Sequence, residues 1–231
     1  FFSETLVNRM WGYLFGRGLV EPVDDFRSTN PPTHPGLLTA LAEDFTRHDH
    51  DLKHLLRRIT RSRTYQLSSA PRALNADDRT NYSHFIPKPL EAEILLDAMS
   101  QVTGVPEMFE NSLGGQAPLG TRAIHLEIPD IYPSEFLKMY GQASRDRLPE
   151  INSSPNLTQA LHMLVGSTYT KKTSSQRGRL DRLIGGGATH GAAIEELYLA
   201  ALSRLPADEE QTELEAVLRQ RSSQRKALED L

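Results

Sequence analysis

The spacing of apolar residues near the start of the chain predicts its first helix. Val7, Met10, Trp11 and Leu14 recur at positions i, i+3, i+4 and i+7, which places them on one face of a helix. Glycines follow in the run "FGRG", and glycine commonly ends a helix because it adopts the left-handed conformation without strain. We therefore expect a helix that ends near Gly16 and buries Trp11 as a structural residue.

A second helix is predicted over about 35–47, after an irregular connection. The connection, "VEPVDDFRSTNPPTHP", contains four prolines, and proline lacks the backbone donor that a helix interior needs. Thr33 is predicted to cap the N-terminus of this second helix. Its buried side is predicted to carry four apolar residues: Leu37, Leu38, Leu41 and Phe45.

The third helix has the clearest pattern. Asp51 is predicted as its N-cap, because aspartate accepts hydrogen bonds from the free amides of a first helical turn. One face of the helix is apolar and consists of Leu52, Leu55, Leu56 and Ile59. Lys53, Arg57 and Arg61 recur every four residues along another face, so the helix is predicted to be amphipathic.

A fourth helix is predicted from about Leu90 to Val102, and a different kind of segment follows it. Glu93 and Asp97 lie four residues apart and are predicted to belong to the polar face of this helix. The alternative is a pair of carboxylates that meet and serve acid–base or metal chemistry. Residues 104–150 are rich in Gly and Pro, and "TRAIHLEIP" alternates in the way typical of a short strand or extended segment.

Helical spacing returns in the last third of the chain. The next stripe consists of Leu157, Ala160, Leu161 and Leu164, and Ser154 and Pro155 are predicted as its N-cap and first helical residue. Later helices are predicted near 179–184, over a stripe that runs from Ile194 to Leu202, and after the acidic run at 208–210.

These patterns predict a mostly α-helical fold, a multi-helix globular domain with long irregular loops. Any small β element would lie in the middle of the chain. The length of 231 residues suits a single helical domain over 1–231. A possible subdivision would separate an N-terminal helical part at 1–103, an irregular middle at 104–150 and a C-terminal helical part at 151–231.

Composition and charge exclude several classes of function. The net charge of −4 and the pI of about 6.1 argue against a general nucleic-acid binder. The absence of cysteine excludes disulfides, thiol catalysis, cysteine-ligated zinc and covalent c-type haem attachment within this sequence, and no cofactor is predicted. No apolar run predicts a transmembrane segment or a signal peptide. Both ends lie inside helical patterns, so we expect the chain to be cut from a longer one.

The most interesting polar residues lie on the proline-rich connection. Asp24, Asp25 and His34 are candidate catalytic residues, because functional side chains concentrate on ordered loops. The alternative is structural: either aspartate accepts hydrogen bonds from turn amides or from an arginine such as Arg9 or Arg27. Under both hypotheses the connection is predicted to be ordered.

Two further clusters flank the start of the third helix. His48, His50 and His54 accompany Asp49 and Asp51 in "RHDHDLKH", but His50 and His54 would not share a helical face, so no metal site is predicted. Lys53, Arg57 and Arg61 are candidate anion-binding residues. The alternative for these three is a solvated face that forms ion pairs with nearby acids.

Long stretches of the sequence are similar to one known family. "NRMWGYLFGRGLVEPVDDFRSTNPPTHPGLLTALAEDF" and "DLKHLLRRITRSRTYQLSS" resemble the domain of unknown function fifteen-fifty-three, the PSD-one domain. "GTRAIHLEIPD", "NLTQALHMLVG" and "IEELYLAALSRLPADEE" are similar to its later motifs, in the same order. The family is abundant in planctomycetes and related bacteria, and the resemblance covers nearly the whole chain.

The resemblance implies a C-terminal module of large secreted or envelope-associated proteins. A c-type cytochrome domain and a second uncharacterised domain precede the module in those proteins. We therefore expect an extracytoplasmic (periplasmic or cell-envelope) accessory module for protein interaction, with these neighbouring domains of the same polypeptide as its partners.

The alternative is a catalytic domain, hydrolytic or redox-linked and acting on polysaccharide-type substrates, centred on Asp24, Asp25 and His34. Geometry separates the two hypotheses. An enzyme would gather acids with a histidine or arginine in a concave pocket, whereas an interaction module would expose a broad apolar patch.

Overall fold

The computed structural model describes residues 1–126, 128–142, 156–221 and 223–230. These residues form a mostly helical fold, as the sequence predicts, and their only β pairing is an isolated antiparallel bridge between Glu110 and Gln116. The chain divides into two compact units, 1–88 and 89–231. The assignment of the whole chain to one domain stays a prediction. Among the helices in the described ranges, none has the length and apolar character needed to cross a bilayer.

Eleven α-helices lie in the described residues. Their bounds are α1 Phe2–Phe15, α2 Pro35–Arg47, α3 Leu52–Thr60, α4 Ala92–Thr103, α5 Glu135–Met139, α6 Leu157–Val165, α7 Ser167–Thr173, α8 Arg179–Gly185, α9 His190–Leu202, α10 Asp208–Gln220 and α11 Gln224–Glu229. Two 3₁₀ turns, Ala123–His125 and Pro129–Ile131, lie between α4 and α5.

The first unit is built around the apolar face of α1, which packs on α2 and α3. Val7 and Trp11 are buried and Met10 and Leu14 pack beside them, so the predicted stripe of α1 is confirmed. The helix ends at Gly16, whose φ of 76° is left-handed. The buried residues of this core are Val7, Trp11, Phe15, Leu19, Val20, Leu38, Phe45, Leu55, Ile59 and Tyr82.

The start of α2 differs from the prediction. His34 is the N-cap and Pro35 is the first helical residue, so the prediction that Thr33 caps α2 is wrong. Proline suits the first helical position because its fixed φ is already helical, and this places the cap one residue after Thr33. Thr33 instead holds the preceding loop: its amide and its hydroxyl both donate to the carbonyl of Leu19, at 2.7 and 3.1 Å.

Asp51 is the N-cap of α3, as its position predicts. Its carboxylate accepts hydrogen bonds from the amides of Lys53, at 2.8 Å, and His54, at 3.2 Å. These bonds, led by that from His54, lower the pKa of Asp51, because they stabilise the charged form.

We expect Asp51→Ala to lower the melting temperature by about 2–4 °C, because one of the strongest N-cap residues is lost. Asp51→Ser should lose much less, since serine also caps. The folded-state pKa of Asp51 is depressed, so its stabilising effect is present above about pH 4 and is lost as the pH falls further. Calorimetric melts at pH 7 and pH 3 test this, and a gap between wild type and Asp51→Ala that is unchanged at pH 3 would contradict it.

In the second unit, α4 carries a buried acid that organises the middle segment. Asp97 accepts hydrogen bonds from the amides of Ala123, at 2.7 Å, and Ile124, at 3.2 Å. Residues 123–125 therefore close into a 3₁₀ turn, and the strand predicted for "TRAIHLEIP" is wrong at these residues. The carboxylate supplies the acceptor that a neighbouring strand would otherwise provide.

The C-terminal helices of this unit form an apolar cluster, which contains Leu180, Ala193, Ile194, Leu218, Ala227 and Leu228. Before them lies α6, whose N-cap is Asn156. Its side chain accepts from the amide of Gln159 at 2.9 Å, and Gln159 accepts from the amide of Asn156 at 3.2 Å. Ser154 and Pro155, which were predicted to open this helix, lie outside the described residues.

Candidate functional site

The connection between α1 and α2 is fastened by a buried polar side chain of α1. Asn8 is fully buried and donates from its amide nitrogen to the carbonyls of Val20, at 2.9 Å, and Val23, at 2.7 Å. Its amide oxygen accepts from the backbone N–H of Val20 at 3.0 Å. The Asn8 side chain therefore supplies hydrogen-bond partners to backbone groups of the loop. The sequence alone does not indicate Asn8, because a single asparagine in a helical pattern gives no periodic signal.

Each candidate catalytic aspartate pairs with its own arginine. Arg9 donates two hydrogen bonds to Asp24, at 2.7 and 3.0 Å, and Arg27 donates two to Asp25, both at 2.6 Å. These hydrogen bonds and the accompanying charge attraction lower the pKa of both carboxyls. The structural hypothesis, in which Arg9 or Arg27 pins the loop, is confirmed in its geometry.

His34 lies apart from this pairing. Its Nδ1 is 3.1 Å from the hydroxyl of Thr33, and its ring centre is 5.9 Å from that of Tyr82. In the part of the chain that the structure describes, no hydrogen bond joins His34 to either aspartate. A general acid or base works best when its pKa is near the working pH. Pairing with arginine lowers the pKa of both carboxyls and so moves it further from that range. The catalytic role of Asp24, Asp25 and His34 stays a prediction that this geometry does not favour.

The variants Asp24→Asn and Asp25→Asn separate the two hypotheses. If the aspartates are structural, each change should lower the melting temperature slightly, because the ion pairs are partly exposed and such pairs contribute little. Calorimetry measures that effect. If the loop is a catalytic centre, the melts should stay unchanged while hydrolysis of polysaccharide substrates is abolished, and this pattern would contradict the structural role.

The predicted basic face is fully exposed. Lys53, Arg57 and Arg61 lie on α3 or at its C-terminal end, and all three are exposed. Within the described ranges, no carboxylate forms an ion pair with any of them at 4.0 Å or less, although the charge of Arg57 contributes to the lowered pKa of Asp51. The face is thus open to an anion, and the anion-binding hypothesis stays a prediction.

The histidine cluster is arranged differently from the order of its residues in sequence. His50 packs its ring edge-on against Phe45, at 5.1 Å, and against Phe2, at 5.6 Å. His48 and His54 stack at 3.7 Å between ring centres, beside Asp44 of α2. His54 Nε2 is 2.8 Å from the Asp44 carboxylate. His50, which lies beside the other two histidines in sequence, is therefore separate from them, and Asp44 takes its place in the cluster.

A polar pocket of about 310 Å³ lies in the second unit beside the end of α4. Asp97, Glu107 and Arg122 are among its lining residues. Asp97 is buried and accepts hydrogen bonds from backbone amides, so its predicted place on a polar face is wrong. Arg122 Nε lies 3.4 Å from Asp97, and the buried ammonium of Lys172 lies 2.9 Å from Glu107. Both carboxylates that line the pocket therefore lie beside a cation.

The helix α6 turns its polar side, and not its apolar stripe, towards the rest of the second unit. Its polar side chains face the protein: Gln159 Nε2 donates to the carbonyl of Met139 at 3.1 Å, and His162 Nδ1 is 3.3 Å from the hydroxyl of Tyr140. His162 also contacts the ring of Phe136 at 5.6 Å. None of the residues of α6 is buried. Its apolar stripe was predicted from periodicity, but the stripe faces away from the body of the unit.

We name this surface the α6 apolar face: Leu157, Leu161, Leu164 and Val165. These residues are 75%, 52%, 79% and 78% exposed, and they are spaced at i, i+4, i+7 and i+8 on one side of the helix. Contiguous exposed apolar patches rimmed by polar residues mark interaction sites in soluble proteins. The arrangement fits association with another surface and offers no group for bond-breaking chemistry.

Comparison with known proteins returns one family. Residues 1–218 match PSD1, described as a protein of unknown function (DUF1553). Neither the curated proteins nor the solved structures contain a match to this chain.

Proposed function

Because the chain belongs to the PSD1 (DUF1553) family, a family of unknown function, we propose that it is an accessory interaction module that docks on a neighbouring domain through the α6 apolar face. The neighbours are the c-type cytochrome domain and the second uncharacterised domain of the same polypeptide. The module works outside the cytoplasm, in the periplasm or cell envelope.

The inward-facing polar side of α6 is the observation that carries this proposal. A helix that packs for stability alone turns its leucines inward, but here Gln159 and His162 occupy the inward side. Full burial of a leucine or valine side chain contributes about 1.5–3 kcal/mol. Four such side chains could outweigh the ordering cost of docking, particularly when the partner is tethered in the same chain at high effective concentration.

The chemistry of α6 favours a protein partner over a lipid surface. The sequence of the helix, "LTQALHMLV", contains no lysine or arginine. Helices that lie in a membrane interface usually carry these cations on their polar face, where they contact lipid headgroups. A shape-complementary apolar surface of a neighbouring domain is the better match.

Binding between this chain and the separately produced remainder of its polypeptide tests the proposal. Isothermal titration calorimetry with Leu161→Glu/Leu164→Glu should show an affinity lower by ~10-fold or more, because charges would enter the centre of the contact. Leu113→Glu/Leu119→Glu is a matched control, since these leucines are 96% and 76% exposed in the same unit.

Circular dichroism checks that both double variants are folded. Equal binding by Leu161→Glu/Leu164→Glu and wild type would overturn the assignment of the surface. A wild-type chain that fails to bind the remainder of its polypeptide would overturn the interaction function itself.

The alternative function is a catalytic domain, hydrolytic or redox-linked, that acts on polysaccharide-type substrates at Asp24, Asp25 and His34. It has less support, because Arg9 and Arg27 hold the two carboxylates in separate ion pairs. The Asp24→Asn and Asp25→Asn measurements described above decide between the two functions.

A further inference from the structure

A cluster of one aspartate and two histidines lies in the first unit, where α2 ends and α3 begins. Asp44, His48 and His54 each place one oxygen or nitrogen ligand atom within 4.8 Å of the others. We propose that these three residues bind a divalent transition-metal ion, with zinc as the best-suited ion. Two imidazoles and one carboxylate form a ligand set that zinc accepts.

Local structure explains how the three side chains converge. Asp44 and His48 are separated by four residues at the C-terminal end of α2, so they lie on the same side of the helix. A tight turn follows, in which Asp49 and His50 both have positive φ, at 50° and 59°. The turn returns the chain so that His54, in the first turn of α3, stacks on His48.

The hydrogen bond of His48 leaves a nitrogen free for a metal. His48 Nδ1 lies 2.8 Å from the backbone carbonyl of Asp44, and a carbonyl can only accept, so Nδ1 carries the proton. In the neutral ring Nε2 then has a free lone pair. Histidine ligands of metals commonly donate their other ring N–H to a carbonyl in this way, which fixes the tautomer.

His54 and Asp44 already share a contact that a metal could take over. His54 Nε2 and the Asp44 carboxylate are 2.8 Å apart, so one proton lies between them in the metal-free arrangement. Zinc would replace that proton. Zinc bonds of about 2.0–2.2 Å place tetrahedral ligand atoms roughly 3.3 Å apart. The nearly parallel stacked rings must therefore turn out of their stack so that both lone pairs point at one ion. His48 is exposed enough to do so, with 46% of its side chain accessible.

Nearby arginines determine which metals fit. Arg58 Nε and Arg47 Nη2 lie 3.6 and 3.7 Å from the Asp44 carboxylate, and their charges oppose a cation. Calcium and magnesium depend on negatively charged oxygen ligands, so the site should reject them. Zinc, nickel and copper bind imidazole strongly, and both arginine side chains are mostly exposed and can turn away.

Zinc titration of the full chain, without an affinity tag and after treatment with EDTA, tests the proposal by isothermal titration calorimetry. The wild type should bind one zinc ion, and His48→Ala and His54→Ala should each weaken binding by ~10-fold or more. His50→Ala is the matched control from the same sequence run and should bind as the wild type does, since His50 packs on Phe45 and Phe2.

A gain of affinity provides a second readout. Arg58→Gln removes a positive charge next to Asp44, so it should tighten zinc binding by several-fold. His48 is exposed, so His48→Ala stays informative if His54→Ala unfolds. A wild type that binds no zinc, or zinc binding that is unchanged in His48→Ala, would overturn the site.

Discussion

Replacing Trp11 with alanine is expected to lower the free energy of unfolding by ~3–5 kcal/mol, because a large ring leaves a cavity in the core of the first unit. Trp11 is 2% exposed. Its ring stacks on Phe15 at 4.2 Å and meets the edge of Tyr82 at 5.4 Å. Tyr82 in turn donates to the carbonyl of Gly18 at 2.8 Å, so the ring also supports the segment after α1.

Urea unfolding followed by far-ultraviolet circular dichroism measures this loss. Trp11 is the single tryptophan of the chain, so its fluorescence cannot report on its own replacement. Trp11→Phe should lose much less stability, because it keeps most of the stacking on Phe15. Leu74→Ala, at a fully exposed leucine, should stay within about 0.5 kcal/mol of wild type. An unchanged unfolding midpoint for Trp11→Ala would contradict the central position of the ring.

Asn8→Ala should destabilise the protein by about 3 kcal/mol, because one deletion removes three hydrogen bonds at a fully buried position. The backbone N–H of Val20 loses its partner, and the carbonyls of Val20 and Val23 lose their donors. Buried backbone groups without partners cost more than exposed ones, since water cannot replace the lost bond. The same unfolding measurement detects the effect.

Asn8→Asp provides a more specific test of the same geometry. A carboxylate would face the two carbonyl oxygens that now accept from the amide nitrogen, so its folded-state pKa should be raised. The penalty relative to wild type should therefore be largest at neutral pH and should shrink as the pH falls to about 4, where the carboxyl is protonated in the unfolded chain as well. A penalty independent of pH would show that the carbonyls do not face this side chain. Arg9→Ala, at the next residue, is the control and should cost much less, since its ion pair with Asp24 is exposed.

Periodicity and capping rules predicted much of the fold. The apolar stripe of α1, the buried Leu55 and Ile59 of α3, the glycine end of α1 and the cap at Asp51 depend on residues within one or two helical turns of each other. The place of Trp11 on the apolar stripe follows for the same reason. Leu52, which was predicted on the same stripe of α3 as Leu55 and Ile59, is 43% exposed. The predicted cap of α2, Thr33, was wrong by one residue, because the favourable fit of Pro35 to the first helical position outweighed the capping preference of threonine.

Polar residues with distant partners could not be predicted. Asn8 binds a loop 12 and 15 residues away, and Asp97 binds amides 26 and 27 residues away. Asp97 was predicted on a polar face, because a charged residue is normally stable there. Its carboxylate is instead stable inside the unit, since two backbone donors replace the lost water. Asp44 was missed for a similar reason, because only the turn after α2 brings it to His54.

The sequence by itself determined the longer helices and which of their residues share a face, because these depend on local geometry with a fixed period. The short helices α5 and α7 were not predicted. The sequence also determined the absence of cysteine chemistry from this chain. The tertiary structure decided which face of each helix is buried, because that depends on what the neighbouring elements offer. In α6 the carbonyl of Met139 and the hydroxyl of Tyr140 bind Gln159 and His162, so the polar side is held inward and the leucines are left outside. Periodicity located that stripe correctly but could not show which way it faces.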